Sequence, residues 1–488
     1  MEISRSLAWC SWIFILCVID VSSEEGSKAH KLWFHPSATK EIQSCLSEDL
    51  EQEFQGSCRF FAAVIDAGST GTRLHLFEFS HDIEQEHSPF KLEKETFKEE
   101  LRKSKLDCKP GLSSFAQTPE LAAESVRELL STAKQVIPTN LWVHTPITLK
   151  ATAGLRLLPE NQADAILSQA QLEVASSGLL LEDDESVGML SGIDEGVFGW
   201  FTLNYLLGRL SNGFESGLST AAALDLGGGS TQVTFLPDNL AAALELYTHS
   251  YLGNGLVAAR IGVAQLSSQS NDESHSLFTS CFPRKFQIND WDYAGNVWVV
   301  SATQEASFEA CLSSTIHYVE SVSKVVPIPQ LADNDVFVFS YFYDRGLQAG
   351  LVQGDSEQSG GFAKVVDYKQ AAQKACSIPA EEIGPEHWKP WQCLDLTYIY
   401  TLLHFGYGLP DQKSIHLTKK LKEKSKRISL KSVNNNLKSE TQKNIRVSPS
   451  QQKHMNTTSN HSGGYIQQLM HYISDAATHV LVYLKLAS

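Results

Sequence analysis

The sequence predicts an α/β protein of two domains, and three features of the chain indicate this architecture. The chain has 488 residues, more than a single hydrophobic core usually supports. Strand-like apolar segments alternate with segments of helical periodicity, which is the pattern of α/β folds. A strand that ends in an aspartate and a loop of small residues occurs twice, around Asp66 and again around Asp225. The repeat indicates two related halves.

The two repeated segments read VIDAGSTGTR, from Val64, and LDLGGGSTQ, from Leu224. Glycine has no Cβ and therefore lets backbone amides approach a ligand closely. Successive amides in such turns bind anions, and hydroxyls at the rim add donors. An aspartate at the strand end can hold a divalent cation, directly or through water. Each loop alone would be an ordinary hairpin turn, but the pair predicts two halves that grip one polyphosphate and its cation.

The other elements follow from local patterns. Residues 81–107 are highly charged and are expected to form a loop or an exposed helix. Apolar residues recur at helical spacing in two segments, and each is predicted as a helix. The remaining segments combine a strand or a helix with a turn. In chain order we expect a helix at 119–135, a strand running into a small-residue turn at 145–159, a helix at 160–178, a glycine-rich turn that becomes a helix at 192–210, and a strand ending in aromatics at 335–346.

The two ends of the chain differ from the body. Residues 1–23 are expected to be a signal peptide, because an arginine precedes a short apolar run; an uncleaved anchor is the alternative. Residues 24–58 form a lead-in. Residues 419–488 form a tail, rich in Lys, Ser, Asn and Gln over 419–464, that is expected to be disordered, with an amphipathic helix possible at its end. The sequons at Asn456 and Asn460 are the two N-glycosylation signals.

Charge and cysteine content limit the function classes. The net charge is −16, which gives nucleic-acid binding no support. An acidic body that binds phosphate needs glycine amides and a cation. Seven cysteines follow the signal segment, without a CxxC motif, so a zinc site is not expected. In an oxidising compartment Cys281–Cys311 and Cys376–Cys393 are natural short-range disulfides, although the sequence alone leaves the connectivity open.

Five motifs in order carry a family resemblance: VIDAGSTGTR, LKATAGLRLLP, GIDEGVFGWFTLNYLLG, LDLGGGSTQ and FSYFYDRG. Together the motifs resemble the five conserved regions of the ectonucleoside triphosphate diphosphohydrolase (apyrase) family. The residues within the motifs are most similar to its soluble, secreted nucleoside diphosphatase branch. The resemblance covers residues 60–418. It implies two RNase H-like domains of the actin and sugar-kinase type with an interdomain cleft. The corresponding expectation is a first domain at 59–193, a second at 194–390, and a segment at 391–418 that returns to the first.

The resemblance also implies residue roles. Asp66 and Asp225 would position Ca²⁺ or Mg²⁺ through its water shell, and Glu195 would be the general base. Thr152 would touch the metal shell or the attacking water. The remaining implied residues are the water-orienting Ser230 and Gln232, the base-stacking Tyr343 with Phe342 in reserve, and the phosphate-binding Gly68, Ser69, Thr70, Gly71, Thr72, Arg73, Gly227, Gly228, Gly229, Ser230 and Thr231.

Each role has a structural alternative. Glu195 sits where an acid commonly interacts with the helix dipole, and Asp194 is its rival as base. Tyr343 would equally suit the core of a strand, and Thr152 a turn. Arg156 is interpreted as structural. The chain also departs from the family pattern by a short connection after TFLPDN and by its divergent end from Leu421.

The expected function is metal-dependent hydrolysis of the terminal phosphate of nucleoside diphosphates, with triphosphates as further substrates. The alternative is a catalytically impaired nucleotide-binding protein of the same fold. A third hypothesis is a cytoplasmic actin-like ATPase or sugar kinase, which the fold alone would permit. The expected signal peptide and disulfide-forming cysteines argue against a cytoplasmic protein. We expect the protein in the ER or Golgi lumen or secreted, in contact with a membrane only if the N-terminal segment stays uncleaved. The sequence leaves the nucleobase preference and the oligomeric state open.

Overall fold

The computed structural model describes residues 57–82, 91–99, 111–181, 183–210, 220–237, 246–267, 275–293, 296–352 and 360–419. The expected signal peptide, most of the lead-in, the tail beyond Lys419 and both sequons lie outside these ranges. No helix in the described ranges has the length and apolar character that a bilayer crossing requires.

The first sheet has five strands in the order β3-β2-β1-β4-β5. The hairpin of β1 and β2 continues into β3 with antiparallel pairing, whereas β4 and β5 run parallel to β1. This combination of a three-stranded meander and two parallel strands is the RNase H-like arrangement. The strands are β1 (Ser57–Gly68), β2 (Gly71–Asp82), β3 (Lys91–Glu99), β4 (Ile147–Ala151) and β5 (Val187–Met189).

The second sheet repeats this order and adds one strand at its edge. Its order is β13-β14-β12-β6-β7-β8, with an antiparallel meander from β6 to β8 and parallel strands β12 and β14 on the other side of β6. Strand β1 therefore corresponds to β6, and β4 to β12. The strands are β6 (Ala221–Leu226), β7 (Ser230–Phe235), β8 (Tyr247–Leu252), β12 (Asp335–Ser340), β13 (Gly361–Lys364) and β14 (Ser414–Leu417).

Helices cover both sheets, and a third, small sheet has the order β10-β11-β9. That sheet consists of β9 (Ser276–Thr279), β10 (Gln287–Tyr293) and β11 (Asn296–Ala302). The α-helices are α1 (Pro119–Val136), the single turn α2 (Ala153–Arg156), α3 (Glu160–Ala175), α4 (Gly192–Leu206), α5 (Leu256–Gln265), α6 (Phe308–His317), α7 (Tyr341–Gln348), α8 (Val365–Cys376) and α9 (Gln392–Thr401).

The core between the two sheets positions the site. Side chains of β1 and β2 meet side chains of β6 and β12 there, and the apolar body of α4 fills the space between them. Two further cores cover the outer faces of the sheets. Ser191 caps α4 by accepting a hydrogen bond from the Asp194 amide at 3.1 Å. The first turn of α4 is thereby fixed where the two halves meet.

Most predicted helices and strands are present, but three segments differ. Residues 81–107 contain β3 rather than only a loop or helix, because pairing with β2 orders a charged edge strand. The aromatics after β12 belong to α7 instead of the strand. Residues 391–418, expected to return to the first domain, supply α9 to the outer core of the second sheet, and β14 pairs with β12.

Two disulfides connect elements of the second half. Cys281 bonds to Cys311 on α6, and Cys376 at the end of α8 bonds to Cys393 on α9. Both pairs match the short-range pairing that the cysteine spacing favoured. The two bonds tie helices of the outer core to one another and to the segment after β9.

Candidate active site

The two small-residue loops touch each other. A Cβ on Gly228 would collide with the Ser69 hydroxyl and the Thr70 methyl group. None of the glycines in either loop has a positive φ. Glycine at this position therefore serves the close approach of the loops and not an unusual backbone conformation. The contact places the amide-rich turns of both halves on one shared space, as the sequence predicted.

Further glycines hold the loops from behind. A Cβ on Gly255, the residue before α5, would overlap the backbone of Gly228 to Ser230. The amide of Leu256 donates to the Gly227 carbonyl at 2.8 Å. A Cβ on Gly111 or on Gly154 would overlap the backbone of Ser69. Backbone therefore packs directly on backbone around both loops.

Asp66 and Asp225 occupy corresponding places at the ends of β1 and β6. Each is 5% exposed. Asp66 lies opposite Arg73 in its hairpin, at 3.4 Å between Oδ2 and Nη1. Asp225 lies opposite Gln232, and its Oδ1 is buried without a hydrogen-bond partner among the described residues. Burial raises the pKa of Asp225 to about 6; the Ser340 hydroxyl lowers it and the charge of Asp66 raises it.

Glu195 lies in the first turn of α4, and its partners Arg156 and Gln232 both contact Ser230 of the second loop. Its Oε2 accepts from Arg156 Nη2 at 2.6 Å and from Gln232 Nε2 at 2.9 Å. Burial raises the pKa of Glu195 to about 7. The Arg156 guanidinium lowers it, whereas the charges of Asp225 and Asp66 raise it. A carboxylate with a pKa near neutrality suits a general base.

The rival acid has a different environment. Asp194 Oδ2 accepts from the Ser191 hydroxyl at 2.6 Å, and the amide of the same residue donates to Ser191 Oγ. Asp194 therefore belongs to the cap of α4, while Glu195 faces the loops. The geometry favours Glu195 between the two acids that the sequence left open.

Gln232 and Ser230 join Glu195 in one polar cluster. Gln232 Nε2 lies 2.8 Å from Ser230 Oγ and 3.1 Å from Ser250 Oγ. Both Gln232 and Ser230 are 1% exposed. The Gln232 amide nitrogen is held by these partners, whereas its Oε1 is buried without a hydrogen-bond partner among the described residues. Such a cluster can hold a water molecule beside the carboxylate.

Arg156 is the residue that the sequence interpretation missed. It ends the short turn α2 after β4, and its Nη2 also lies 3.3 Å from Ser230 Oγ. Its buried Nε has no hydrogen-bond partner within the described ranges. A guanidinium between the candidate base and the second loop can stabilise charge on a phosphate. An arginine two residues after the Thr-Ala-Gly turn was the only signal available.

Three threonines among the predicted site residues differ in their surroundings. Thr152 precedes α2, and its amide donates to the Ala67 carbonyl at 3.2 Å, which places it beside the first loop. The Thr72 hydroxyl is buried without a partner in the described part of the chain. The Thr231 hydroxyl instead donates to the Asp225 carbonyl at 2.6 Å and contacts the Tyr407 hydroxyl. The Thr231 side chain therefore faces the core.

The two candidate base-stacking rings lie inside the protein. Tyr343 is 1% exposed and Phe342 is fully buried. Both belong to α7 and pack in the outer core of the second sheet. The structure does not bring them to the space between the loops, and neither ring offers a free face. Tyr341, at the start of the same helix, is only partly buried and lies 5.1 Å from the Arg345 guanidinium.

The three carboxylates beside the loops, Asp66, Asp225 and Glu195, are suited to hold a hydrated divalent cation. Oxygen ligands are what Ca²⁺ and Mg²⁺ prefer, and Mg²⁺ usually keeps several waters. The buried Oδ1 of Asp225 is an acceptor for which the described part of the chain supplies no donor. Three carboxylates, Asp66, Asp225 and Glu195, also raise the local negative charge, as their mutual effect on pKa shows. A cation would satisfy both features.

Comparisons with known proteins show the family of the chain. The profile of the GDA1/CD39 (nucleoside phosphatase) family matches residues 54–449. The nucleoside-diphosphatase uda-1 of Caenorhabditis elegans is 45% identical over 394 residues, covering 75% of this chain and 80% of that protein. The human nucleoside diphosphate phosphatase ENTPD5 is 32% identical over 433 residues, covering 85% and 94%. A solved nucleoside triphosphate hydrolase from Neospora caninum is 13% identical and has a TM-score of 0.46. The match covers 78% of this chain and 92% of that protein. The chain belongs to the GDA1/CD39 family of nucleoside phosphatases.

Proposed function

We propose that the protein hydrolyses the terminal phosphate of nucleoside diphosphates, and of triphosphates as further substrates, with water activated by Glu195. The observation that carries this proposal is the hydrogen-bonded cluster of Glu195, Gln232 and Ser230 beside two touching glycine loops. The names of the relatives uda-1 and ENTPD5 support the diphosphate. Phosphoryl transfer to water needs mainly positioning and charge stabilisation, and the cluster supplies both.

The first step is the positioning of water. Gln232 and Ser230 orient a water molecule against the Glu195 carboxylate, which accepts its proton as the oxygen attacks phosphorus. The pKa of Glu195, raised by burial to about 7, makes the carboxylate basic enough to take that proton near neutral pH. The bond from phosphorus to the bridging oxygen breaks, and the departing nucleotide keeps that oxygen.

The loops hold the two phosphates. The loop at Gly227 to Thr231 binds the terminal phosphate through its amides and the Ser230 hydroxyl, and the Thr231 contribution comes from its backbone. The loop at Gly68 to Thr72, with Arg73 behind it, binds the adjacent phosphate. Preorganised amides need no reorientation when charge develops in the transition state.

Asp66 and Asp225 would hold the cation, Ca²⁺ or Mg²⁺, through water, and Thr152 would contact its water shell. When bound, it neutralises charge on the phosphate oxygens. Arg73 and Arg156 add fixed positive charge from the protein side. Because the body of the chain is acidic, these local cations and amides are what allow an anionic substrate to enter.

The nucleobase lies on the side of the second half, where β12 leads into α7. The resemblance implies Tyr343, with Phe342 in reserve, as its stacking partner, but both rings are buried in the outer core of the second sheet, so the stacking role is assigned to neither ring. The disulfides and the relatives support a location in the lumen of the secretory pathway or outside the cell. The domain limits near residues 59 and 194 remain part of this proposal, with residues 391–418 belonging to the second domain.

A substrate panel tests the function. The full chain is incubated with UDP, GDP, ADP and the corresponding triphosphates, with Mg²⁺ or Ca²⁺, and released phosphate is measured. We expect release from diphosphates that a chelator abolishes and added cation restores. Binding of nucleotide without release of phosphate would contradict the proposal and favour the catalytically impaired nucleotide-binding protein.

A further inference from the structure

Ser250 on β8 contacts the polar cluster of the site but has no role in the proposed function. Three residues lie opposite one another across neighbouring strands: Asp225 on β6, Gln232 on β7 and Ser250 on β8. Side chains that are directly opposite in a sheet point to the same face. Ser250 Oγ lies 3.1 Å from Gln232 Nε2. Ser250 therefore lies on the face that carries a candidate cation-binding aspartate and a candidate water-orienting glutamine.

The amide nitrogen of Gln232 has more acceptors around it than it has hydrogens. Its Nε2 lies 2.9 Å from Glu195 Oε2, 2.8 Å from Ser230 Oγ and 3.1 Å from Ser250 Oγ. A primary amide has two N–H donors, and an ionised carboxylate can only accept. One hydrogen of the amide therefore goes to Glu195, and the two serine hydroxyls compete for the other.

The surroundings of Ser230 decide which serine is the better acceptor for the reaction. Ser230 Oγ also lies 3.3 Å from Arg156 Nη2. A hydroxyl oxygen has two lone pairs that accept and one hydrogen that it donates. If Ser230 accepted from both Arg156 and Gln232, it would have no lone pair left for a hydrogen of the attacking water. If Ser250 accepts from Gln232 instead, Ser230 can accept from that water and donate to the phosphate.

Close packing of α4 holds Ser250 at this position. A Cβ on Gly192, the first residue of α4, would overlap Ser250 Oγ. One turn later, a Cβ on Gly196 would overlap the hydroxyls of Thr234 on β7 and Thr248 on β8. The helix therefore lies directly on these two strands, and its two glycines allow the close approach. The first turn of α4, which carries the candidate base, is thus packed against Ser250.

We propose that Ser250 is a positioning residue for the hydrolysis. It accepts the second amide hydrogen of Gln232, which fixes the amide plane and keeps Ser230 available to the attacking water and the terminal phosphate. The inference rests on the proposed function, in which Gln232 and Ser230 orient that water. Because the effect is on the water and not on nucleotide binding, loss of the Ser250 hydroxyl should lower kcat and leave KM unchanged.

The test measures phosphate release by Ser250→Ala and by the unmodified full chain, with a nucleoside diphosphate and saturating Mg²⁺. We expect kcat to fall about tenfold, the size of effect that one hydrogen bond accounts for, with KM and Tm retained. Thr248→Val is the matched control, because it removes a hydroxyl of the same strand that contacts the Thr234 hydroxyl at 2.9 Å. This control should lower Tm and retain kcat. An equal fall in kcat in Thr248→Val would overturn the inference, because any disturbance of β8 would then explain the loss.

A double-mutant cycle tests whether Ser250 acts through Gln232. Ser250→Ala is added to Gln232→Ala, and slow release is followed with a radiolabelled terminal phosphate. We expect no further loss of kcat in the double variant. If the unmodified chain hydrolyses the diphosphate, an unchanged kcat in Ser250→Ala, or a full additional loss in the double variant, would overturn the inference alone. Absence of phosphate release from the unmodified chain would contradict the proposed function, and the inference with it.

Discussion

Arg156 and Glu195 form an ion pair across the boundary between the two halves, with 2.6 Å between Nη2 and Oε2. Arg156 follows β4 of the first sheet, whereas Glu195 opens the helix between the sheets. The same guanidinium reaches Ser230 in the second loop at 3.3 Å. The pair therefore links the candidate base to both halves of the fold, and its charge bears on the protonation of that base.

Removal of the guanidinium should shift the pH dependence of turnover. Burial raises the pKa of Glu195 to about 7, and Arg156 acts against this by lowering it. In Arg156→Gln the pKa of Glu195 rises further, so a smaller fraction of the carboxylate is ionised at a given pH. We expect the acid limb of the pH profile of kcat/KM to move to higher pH, with the largest loss of rate below pH 7.

Arg156→Lys is the control, because it keeps the positive charge and should move the limb less. An acid limb at the same pH in Arg156→Gln and the unmodified chain would contradict the electrostatic coupling of Arg156 to Glu195. A uniform loss at every pH would indicate that Arg156 acts on the phosphate alone.

The contact between the loops predicts that a side chain at Gly228 disturbs the first loop. In Gly228→Ala the added Cβ meets the Ser69 hydroxyl and the Thr70 methyl group, so these two side chains must shift. We expect a fall in kcat/KM of about 10²-fold, the size of effect that a 1 Å displacement of reacting groups produces. Gly188→Ala is the matched control, because its nearest atom outside the adjoining chain would lie at an ordinary 3.6 Å. Equal activity of the two variants would contradict the shared loop contact.

Asp66 and Asp225 should govern the cation requirement. In Asp66→Asn and Asp225→Asn one negative charge is lost where a hydrated cation would lie. We expect the Mg²⁺ concentration for half-maximal rate to rise at least tenfold in each variant. Phosphate release measured across a Mg²⁺ titration checks this. Variants that keep the Mg²⁺ dependence of the unmodified chain would remove both aspartates from the cation site.

A buried ionic cluster outside the site should contribute to stability. Asp395 is fully buried and forms two hydrogen bonds with Arg260, at 2.8 and 2.7 Å, and one contact with Arg345 at 2.7 Å. Asp395→Asn leaves two buried guanidinium groups without a counter-charge. We expect the free energy of unfolding to fall by about 3–5 kcal/mol.

Denaturant unfolding measures this loss, and Asp344→Asn is its control. Asp344 pairs with Lys419 at 3.1 Å, but its side chain is 41% exposed, so its contribution should stay below about 1 kcal/mol. If Asp395→Asn cost no more than Asp344→Asn, the buried cluster would not be a source of stability.

The sequence predicted those parts of the site whose residues lie close together along the chain. The two glycine loops and their strand-terminal aspartates were recognisable because a loop that packs backbone on backbone requires small residues. The helix that begins near Glu195 followed from its apolar body. These features are encoded within a few residues of one another, and the structure places them as the repeat indicated.

The features that the sequence did not predict depend on distant partners. Tyr343 and Phe342 are buried because α7 packs on the outer core, which no local pattern reveals. Strand β3 carries charges on an edge and is ordered by pairing with β2. The sequence interpretation of Arg156 as structural did not connect it to the candidate base, because its partner Glu195 lies 39 positions further along the chain. In each case the tertiary neighbour, rather than the segment itself, decides the outcome.

The measurement that tests the central claim most directly is phosphate release from a nucleoside diphosphate by Glu195→Gln under saturating Mg²⁺. Glutamine keeps the size of the side chain and its hydrogen-bonding oxygen but cannot take a proton from water. We predict a fall in kcat of about 10²–10⁴-fold with nucleotide binding and Tm retained. Full turnover in this variant would contradict the assignment of Glu195 as the base.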